Sequence, residues 1–256
     1  MINYIRSEFY RIKRTKSLYI SMGVILAVLA FAIYAATDVT REYGLGAGMI
    51  YASIAQTLGM CTYMVIWIMS CAQGDEGKYH IFKSSISSGS GRGVIFFGRF
   101  IAEIVTCIIS YIIINLFIIL MTSLMAGDFD TEAMSAYCML MLKQLPVLVA
   151  MAAVVHTCYI VFKNSLSAVG VSYFILSLMP QIATVVGMKY KFISKLRDFS
   201  PVRFLEATFD ADTYTYRVVC AWEIGNSTWK MILTVAIYFI GALVVGYAIM
   251  RKKDIK

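Results

Sequence analysis

Long apolar runs dominate the chain and are separated by short polar segments. Six runs are long enough for a helix to cross a hydrocarbon layer about 30 Å thick, which takes roughly 20 residues. They lie at residues 18–36, 49–72, 101–125, 139–162, 165–188 and 231–250. The runs do not alternate in polarity, and an open sheet would leave unpaired backbone groups in lipid, so helices are favoured over strands. The pattern predicts an all-α polytopic membrane protein with six transmembrane helices.

Residues 1–17, before the first run, have the pattern of an amphipathic helix. Ile2, Ile5, Phe9 and Ile12 recur at spacings of three and four, while the basic residues fall mostly on other faces. This pattern predicts a helix that lies in the inner headgroup layer of the membrane. The alternative is a simple basic flank that orients the first span.

The composition supports the bilayer as the solvent of this 256-residue chain. Hydrophobic residues make up 60% and charged residues 15%, whereas soluble domains carry about 25% charged residues. This balance excludes a compact soluble enzyme. The net charge of +8 would suggest nucleic acid as the partner of a soluble protein, but in a membrane protein it is typical of positive charge retained in the cytoplasm.

The basic residues are distributed unevenly between the two sides of the predicted membrane. With the amino terminus inside, 14 of the 23 Lys and Arg lie in inner segments, eight in outer segments and Lys143 within a span. Both termini are therefore predicted to be cytoplasmic. The outer segment 189–230 departs from this rule because it holds seven basic residues. It is too polar to span, and its aromatic residues suit a small folded cap, interfacial helices or packing against the bundle.

The segment 73–99 is the longest predicted cytoplasmic connection, far longer than two antiparallel helices need. Its opening is polar and flanked by glycine, and Tyr79, Ile81, Phe82 and Ile86 suit a short amphipathic helix. Loops of surplus length often carry contacts with partners. The alternative is a solvated connector that only maintains the topology. Neither repeats nor linkers divide the chain, so a single domain is predicted.

The sequence contains no recognisable catalytic or metal-binding motif. His80 and His156 are far apart, and the glycine spacing of Gly93 and Gly98 lacks the Lys and Ser/Thr of a phosphate loop. The six Cys form no C-x-x-C pair and resemble small hydrophobic residues, although Cys138 and Cys220 both fall on the outer side and could pair. We therefore expect neither an enzyme nor a bound metal or cofactor.

A few polar residues lie inside the predicted spans, where exposure to lipid would be costly. We expect them to face a transport pathway or the interface between helices. They are Gln56, Asn115, Lys143, Gln144 and His156. The simpler interpretation is that Gln56 and Asn115 form interhelical hydrogen bonds and that Lys143 reaches outward near its helix end.

Three local features of the spans carry further predictions. Arg99 and Glu103 are four residues apart at the inner end of the third span and are expected to pair. Pro146 and Pro180 can kink the fourth and fifth spans, which could serve either motion or packing. The small residues of Ala242-x-x-x-Gly246 would allow a close approach between helices.

This arrangement resembles the permease subunit of an ABC-2-type ABC transporter. The resemblance rests on the basic amphipathic start, the polar loop opening with Asp75-Glu76-Gly77-Lys78, the enlarged segment before the sixth span and the basic ending. It implies that residues 1–17 form an interfacial elbow helix and that the 73–99 loop holds a coupling helix that docks on a separate ATPase. By resemblance, the coupling residues are Asp75, Glu76, Gly77, Lys78, Tyr79, His80, Ile81 and Phe82.

The resemblance also implies partners and a location. The chain would be one transmembrane domain, 1–256, in the bacterial cell membrane, dimerised with a second copy or a paralogue and surrounded by lipid. ATP and Mg²⁺ would bind to cytoplasmic ABC ATPase subunits, so this chain would hold no cofactor, and nucleic acid is not expected as a partner. Similar six-span permeases export amphipathic peptides, antimicrobial peptides or hydrophobic drugs. The alternative is a non-transporting membrane sensor or assembly protein whose cytoplasmic loop binds a partner.

Overall fold

Helices make up most of the computed structural model, which describes residues 1–42, 49–51, 53–54, 61–73, 91–126, 130–162, 164–190, 192–193, 199–205, 207–209, 218–224 and 227–252. In chain order the helical elements are α1 (Ile2–Arg14), α2 (Lys16–Glu42), α3 (Cys61–Gln73), α4 (Arg92–Ala126), α5 (Thr131–Val161), α6 (Ser165–Tyr173), a π-helical turn (Phe174–Leu178), α7 (Met179–Gly187), a 3-10 turn (Pro201–Leu205), α8 (Ala221–Ile224) and α9 (Thr228–Lys252). Two short strands, β1 (Ala207–Phe209) and β2 (Val218–Cys220), pair antiparallel with Ala207 opposite Cys220.

Five stretches are long and apolar enough to cross a membrane. They are Lys16–Glu42, Arg92–Ala126, Thr131–Val161, Ser165–Gly187 and Thr228–Lys252. The prediction of an α-helical membrane protein is therefore confirmed in its general form. The described residues contain five such stretches rather than six, because the predicted run 49–72 is represented by the 13-residue α3 and the short helical pieces 49–51 and 53–54. The rest of that run lies outside the described residues.

The predicted loop 73–99 is helical at both of its ends. Gln73 is the last residue of α3, and residues 92–99 form the first two turns of α4. Phe96 and Arg99 are almost fully buried in the bundle, which explains why these turns are helical rather than part of a solvated connection. The predicted loop was therefore too long at both ends.

Helix α5 is the central helix of the bundle. It contacts α3, α4, α6 and α9, and 56% of its most apolar window is buried, against 11% for α9. Asp130 caps its first turn by accepting a hydrogen bond from the backbone N–H of Ala133 at 2.9 Å, a typical N-cap interaction. Burial is greatest in the second half of α5, residues 147–160, whereas Met139 and Leu142 in its first half are 55% and 61% exposed.

Helices α5 and α9 approach each other closely at the small residues of α9. Thr157 Oγ1 donates a hydrogen bond to the Ala242 carbonyl at 2.8 Å. A Cβ atom on Gly246 would lie 2.8 Å from Thr157 Oγ1 and 3.1 Å from the Phe96 ring. The predicted role of Ala242 and Gly246 in close helix packing is confirmed, and only glycine leaves enough room at position 246.

Helix α1 packs its apolar face against α4. Ile12 is 3% exposed, and a Cβ atom on Gly98 of α4 would lie 2.8 Å from the ring of Tyr4. Ile5 and Phe9 are partly buried, whereas Ile2 is exposed. The helix that the pattern predicted is present, and protein rather than lipid covers most of its apolar face.

The expected distortion at Pro180 takes the form of a widened helical turn. Proline lacks an N–H, and its ring clashes with the carbonyl four residues earlier. Here that residue is Leu176, which lies within the π-helical turn Phe174–Leu178. The wider turn relieves this clash while α6 and α7 remain continuous. Pro146, in contrast, lies inside the unbroken α5.

Residues 201–205 and 220–222 of the 189–230 segment pack against the bundle, whereas Tyr190 and Phe192 are 54% and 81% exposed. Phe204, Leu205 and Cys220 belong to the main hydrophobic core, which agrees with the alternative of packing against the bundle. Cys138 and Cys220 are both free thiols, so the alternative of a disulfide between them is wrong. Burial and the neighbouring Glu223 carboxylate raise the pKa of the Cys220 thiol to about 12, and the thiol is therefore protonated at neutral pH.

Candidate functional site

Four buried polar side chains from three helices meet in one cluster, here called the Glu103 cluster. They are Gln73 at the end of α3, Arg99 and Glu103 on α4, and His156 on α5, and none is more than 3% exposed. Arg99 and Glu103 lie one helical turn apart, so both point to the same side of α4. The cluster therefore joins α3, α4 and α5 through polar groups in an otherwise apolar interior.

The Glu103 carboxylate is the centre of the cluster. Its Oε1 accepts a hydrogen bond from Arg99 Nε at 2.8 Å, and its Oε2 accepts one from Gln73 Nε2 at 3.0 Å. Arg99 Nη2 donates to Gln73 Oε1 at 3.0 Å, which closes a ring of three side chains. The predicted pairing of Arg99 and Glu103 is confirmed. It differs from the expected local anchor because both partners are buried.

His156 completes the cluster from the side of α5. Its Nδ1 lies 2.6 Å from Glu103 Oε2, and because an ionised carboxylate can only accept, Nδ1 donates this hydrogen bond. The imidazole ring lies against Phe96 and Phe100, with centroid distances of 5.0 and 5.2 Å. Nε2 is buried without a hydrogen-bond partner among the described residues. His156 therefore has a fixed orientation and contacts aromatic rings rather than an open pathway.

A second ion pair connects the end of α3 to α1. Glu8 is 4% exposed and pairs with Arg11 at 2.8 Å. Arg11 Nη1 also donates to the Gln73 carbonyl at 3.4 Å. Gln73 thus contacts α1 through its backbone and α4 through its side chain, immediately before residues 74–90. Those residues lie outside the described part of the chain, as do all the predicted coupling residues from Asp75 to Phe82, and Gln56.

A ladder of hydrogen bonds, here called the Asn115 ladder, joins α4 to α5 farther along the bundle. Tyr137 Oη donates to Asn115 Oδ1 at 2.8 Å, and Tyr111 Oη donates to Gln144 Oε1 at 3.2 Å. Gln144 Nε2 donates to the Leu205 carbonyl at 3.0 Å, which reaches the 3-10 turn. The interhelical hydrogen bonding expected of Asn115 is confirmed. Asn115 and Gln144 are 0% exposed and hold helices together.

Lys143 pairs with Glu223 of α8 instead of reaching outward alone. The side chains of Lys143 and Glu223 are 38% and 27% exposed, and Glu223 also accepts a hydrogen bond from the backbone N–H of Cys220 at 3.3 Å. The pair links α5 to the 189–230 segment. The sequence identified Lys143 as a polar residue within a span but did not predict its partner. Glu223 is 80 residues away, and no local sequence pattern connects the two.

An apolar groove lies between α3 and α6. Its cavity has a volume of about 270 Å³ and is lined by Tyr63, Ile66, Trp67, Ser70, Cys71, Val169 and Tyr173. Tyr63 and Trp67 are 40% and 52% exposed, so the groove opens to the outside of the bundle. The rings of Tyr63 and Tyr173 lie 5.6 Å apart, and Tyr63 Oη is 3.1 Å from Ser177 Oγ in the π-helical turn.

The described ranges contain no group of three or more His, Cys, Asp or Glu side chains arranged to hold a metal ion. Among the described residues, the buried charged, amide and imidazole side chains belong to the Glu103 cluster, the Asn115 ladder and the Glu8–Arg11 pair, whereas buried Ser and Thr side chains also lie elsewhere. Sequence reasoning identified Asn115, Gln144 and His156 but missed Gln73, whose position at the end of an apolar run resembles an ordinary helix end. No protein-family model matches the chain, and a search of curated proteins also finds no match.

The buried charge pair generates a prediction about stability. Glu103→Ala leaves Arg99 as an uncompensated buried charge, so we expect a loss of about 3–5 kcal/mol in the free energy of unfolding. Arg99→Met combined with Glu103→Gln removes both charges and keeps a hydrogen-bonding side chain at 103, so it should lose less. The measurement is denaturant unfolding of the purified protein in detergent micelles.

The matched control for this prediction is the partly exposed pair of Lys143 and Glu223. Lys143→Ala should lower the free energy of unfolding by less than about 1 kcal/mol, because exposed ion pairs contribute little. If Glu103→Ala costs no more than Lys143→Ala, or no more than the double substitution, the Glu103 cluster does not determine the stability of the bundle.

Proposed function

We propose that this chain is the membrane-spanning permease subunit of an ATP-driven exporter of the ABC-2 type. It would work in the bacterial cell membrane as a dimer with a second copy or a paralogue. Its cargo would be amphipathic peptides, antimicrobial peptides or hydrophobic drugs. ATP and Mg²⁺ would bind to separate cytoplasmic ABC ATPase subunits, so the chain itself would not be an enzyme.

The position of Gln73 carries this proposal. Gln73 is the last residue of α3 before the segment that contains the proposed coupling residues, Asp75–Phe82. Its backbone carbonyl binds Arg11 of α1, and its side chain binds Glu103 of α4. A displacement of the coupling segment would act on Gln73 first. Because the hydrogen bonds around Glu103 are buried and mutually oriented, α3, α4 and α5 would respond together. An ATPase that pushes on this loop would thereby move three helices.

The ends of the helices support a topology with both termini in the cytoplasm. Arg92 at the start of α4 donates a hydrogen bond to the Arg251 carbonyl near the end of α9, and α1 packs against α4. The basic ends of α1, α4 and α9 therefore lie at the same end of the bundle. Positive charge collected at one end is typical of the cytoplasmic side. We propose six spans, in which α3 forms the last part of the second span, 49–72.

The apolar groove supports the proposal that the cargo is a lipid-soluble molecule. Its walls are mostly aromatic and aliphatic side chains, and Tyr63 and Trp67 at its rim are 40% and 52% exposed. A ligand that enters from the membrane would reach Trp67 and Tyr63 without crossing water. We propose that these side chains contact the cargo, because large rigid aromatic side chains accept varied apolar groups at a low cost in conformational entropy.

Labelling of engineered cysteines tests the topology. Ser17 and Ser135 are both exposed on the first turns of long helices, so Ser17→Cys and Ser135→Cys form a matched pair. In intact cells a membrane-impermeant maleimide should label Ser135→Cys well above the unaltered chain, and Ser17→Cys only after permeabilisation. The reverse order of labelling would contradict the proposed orientation.

Copurification with an ATPase tests the coupling segment. We expect the unaltered chain to copurify with an ABC ATPase and to raise its rate of ATP hydrolysis in membranes. Replacing residues 75–82 by eight Gly and Ser residues should abolish both effects, whereas the same replacement of residues 83–90 should preserve both. The two variants have loops of equal length, and they differ only in whether the proposed docking residues are present.

Two outcomes of the copurification experiment count against the proposal in different ways. If the 75–82 variant still binds the ATPase, the coupling assignment is wrong, although the chain can still be a permease. If the unaltered chain recovers a soluble partner other than an ATPase, the alternative of a membrane sensor or assembly protein is favoured instead.

Substitution of Trp67 tests the groove. The probe is a cationic amphipathic peptide, and the measured quantity is the peptide concentration that gives half-maximal stimulation of ATP hydrolysis. We expect Trp67→Ala to raise this concentration about tenfold, which corresponds to a loss of about 1.4 kcal/mol in binding free energy. Trp229→Ala is the control, because Trp229 is similarly exposed at 58% but lies on α9. Equal effects of the two substitutions would indicate a general loss of membrane anchoring and would exclude the groove as the contact site.

A further inference from the structure

The corner between α1 and α2 has a shape that its own hydrogen bonds fix. Thr15 separates the helices with an extended backbone, and its Oγ1 donates to the Arg11 carbonyl at 3.1 Å. Tyr19 Oη donates to the Lys13 carbonyl at 2.9 Å, and the backbone N–H of Leu18 donates to the Thr15 carbonyl at 3.2 Å. The last turn of α1 and the first turn of α2 are therefore held in one arrangement.

Three cations project from this corner, which we call the basic corner. Lys13, Arg14 and Lys16 are all exposed, and none of them is in an ion pair with a carboxylate among the described residues. Arg11 differs, because it turns inward to Glu8. The Arg14 guanidinium lies 4.3 Å from the centroid of the Tyr10 ring, a distance suited to a cation–π contact that orients it.

A membrane-spanning α2 would place the basic corner at the depth of the lipid headgroups. Helix α2 begins at Lys16 and is one of the stretches that can cross a membrane, so its first residue is at the membrane surface. Tyr19 and Ile20, one turn further on, are 57% and 67% exposed, and Val24 follows on the same side of α2 at 50%. The three cations, which have no carboxylate partner among the described residues, therefore lie next to the exposed apolar side chains of Tyr19, Ile20 and Val24.

We propose that the basic corner binds an anionic phospholipid. The phosphate would accept hydrogen bonds from Lys13, Arg14 and Lys16, with the Arg14 guanidinium suited to a bidentate contact, and an acyl chain would lie along Tyr19, Ile20 and Val24. Clusters of basic residues beside a membrane-spanning helix attract anionic lipid. We propose a specific site rather than a general attraction, because hydrogen bonds hold the end of α1 and the start of α2 in one arrangement. The proposal needs only that α2 spans the membrane, so it stands apart from the proposed export function.

A lipid bound at the basic corner would influence the Glu103 cluster through contacts of α1. Arg11 lies one helical turn before Arg14 and contacts the carbonyl of Gln73, and Thr15 Oγ1 binds the Arg11 carbonyl. A lipid that holds Arg14 would also restrict the last turn of α1. The lipid would thereby stabilise the contact between α1 and the end of α3.

The test is equilibrium binding of fluorescent phosphatidylglycerol to the purified full-length chain in uncharged detergent micelles. Lys13→Gln, Arg14→Gln and Lys16→Gln together should weaken binding by on the order of a hundredfold, since each cation near the surface contributes about fivefold. The charge-matched control, Arg6→Gln with Arg251→Gln and Lys252→Gln, removes three other exposed cations and should change the affinity less than threefold. Fluorescent phosphatidylcholine should bind at least tenfold more weakly than phosphatidylglycerol to the unaltered chain.

Several outcomes would overturn the proposal. Equal losses of affinity in the two triple variants would mean that the cations act only through diffuse charge. Equal affinities for phosphatidylcholine and phosphatidylglycerol would mean that the anionic headgroup does not contribute to binding. Competition by millimolar inorganic phosphate would identify a soluble anion as the ligand. If the corner variant does not fold, Arg14→Gln alone should still weaken binding about fivefold, and unchanged affinity in that variant would equally refute the site.

Discussion

The Glu103 carboxylate is buried where neither water nor lipid can solvate it, and the arrangement of the surrounding helices depends on this constraint. The cost of burying an ionised carboxylate amounts to several kcal/mol unless charge and hydrogen bonds compensate it. Arg99 supplies the charge from one turn earlier in α4, and Gln73 and His156 supply further hydrogen bonds from α3 and α5. These contacts require α3, α4 and α5 to meet at one depth, so they determine the relative positions of the three helices along the bundle.

The role of α5 follows from the same constraint. One helix carries His156 for the Glu103 cluster, Tyr137 and Gln144 for the Asn115 ladder, and Thr157 for the contact with α9. Tyr137, Gln144 and His156 bind α4, Gln144 also reaches the 3-10 turn, and Thr157 binds α9, so polar contacts tie α5 to three other elements. The second half of α5 is almost entirely buried, whereas α2 and α9 contact the bundle along one side and expose apolar residues on the other.

The sequence predicted those parts of the fold that depend on local pattern. Long apolar runs predict membrane-spanning helices because hydropathy is summed over many residues, and Arg99 and Glu103 are recognisable because a helix places residues four apart side by side. The partners of Gln73 and Lys143 could not be predicted, since Glu103 is 30 residues from Gln73 and Glu223 is 80 residues from Lys143. The apolar face of α1 illustrates another limit. The protein interior and the lipid tails are both apolar. The pattern of Ile5, Phe9 and Ile12 therefore predicts that this face is buried, but it does not predict whether protein or lipid covers it.

Most polar side chains inside the bundle are already bound to one another, and this limits the chemistry that a ligand could meet there. Glu103, Asn115 and Gln144 use their polar atoms to hold helices together, and displacing those bonds would leave buried groups unsatisfied. The surfaces still open to a ligand are the aromatic groove around Trp67 and the basic corner at Arg14. A ligand that entered the described bundle would therefore meet mainly apolar side chains, because the buried carboxylate and amide groups are already hydrogen-bonded within the protein.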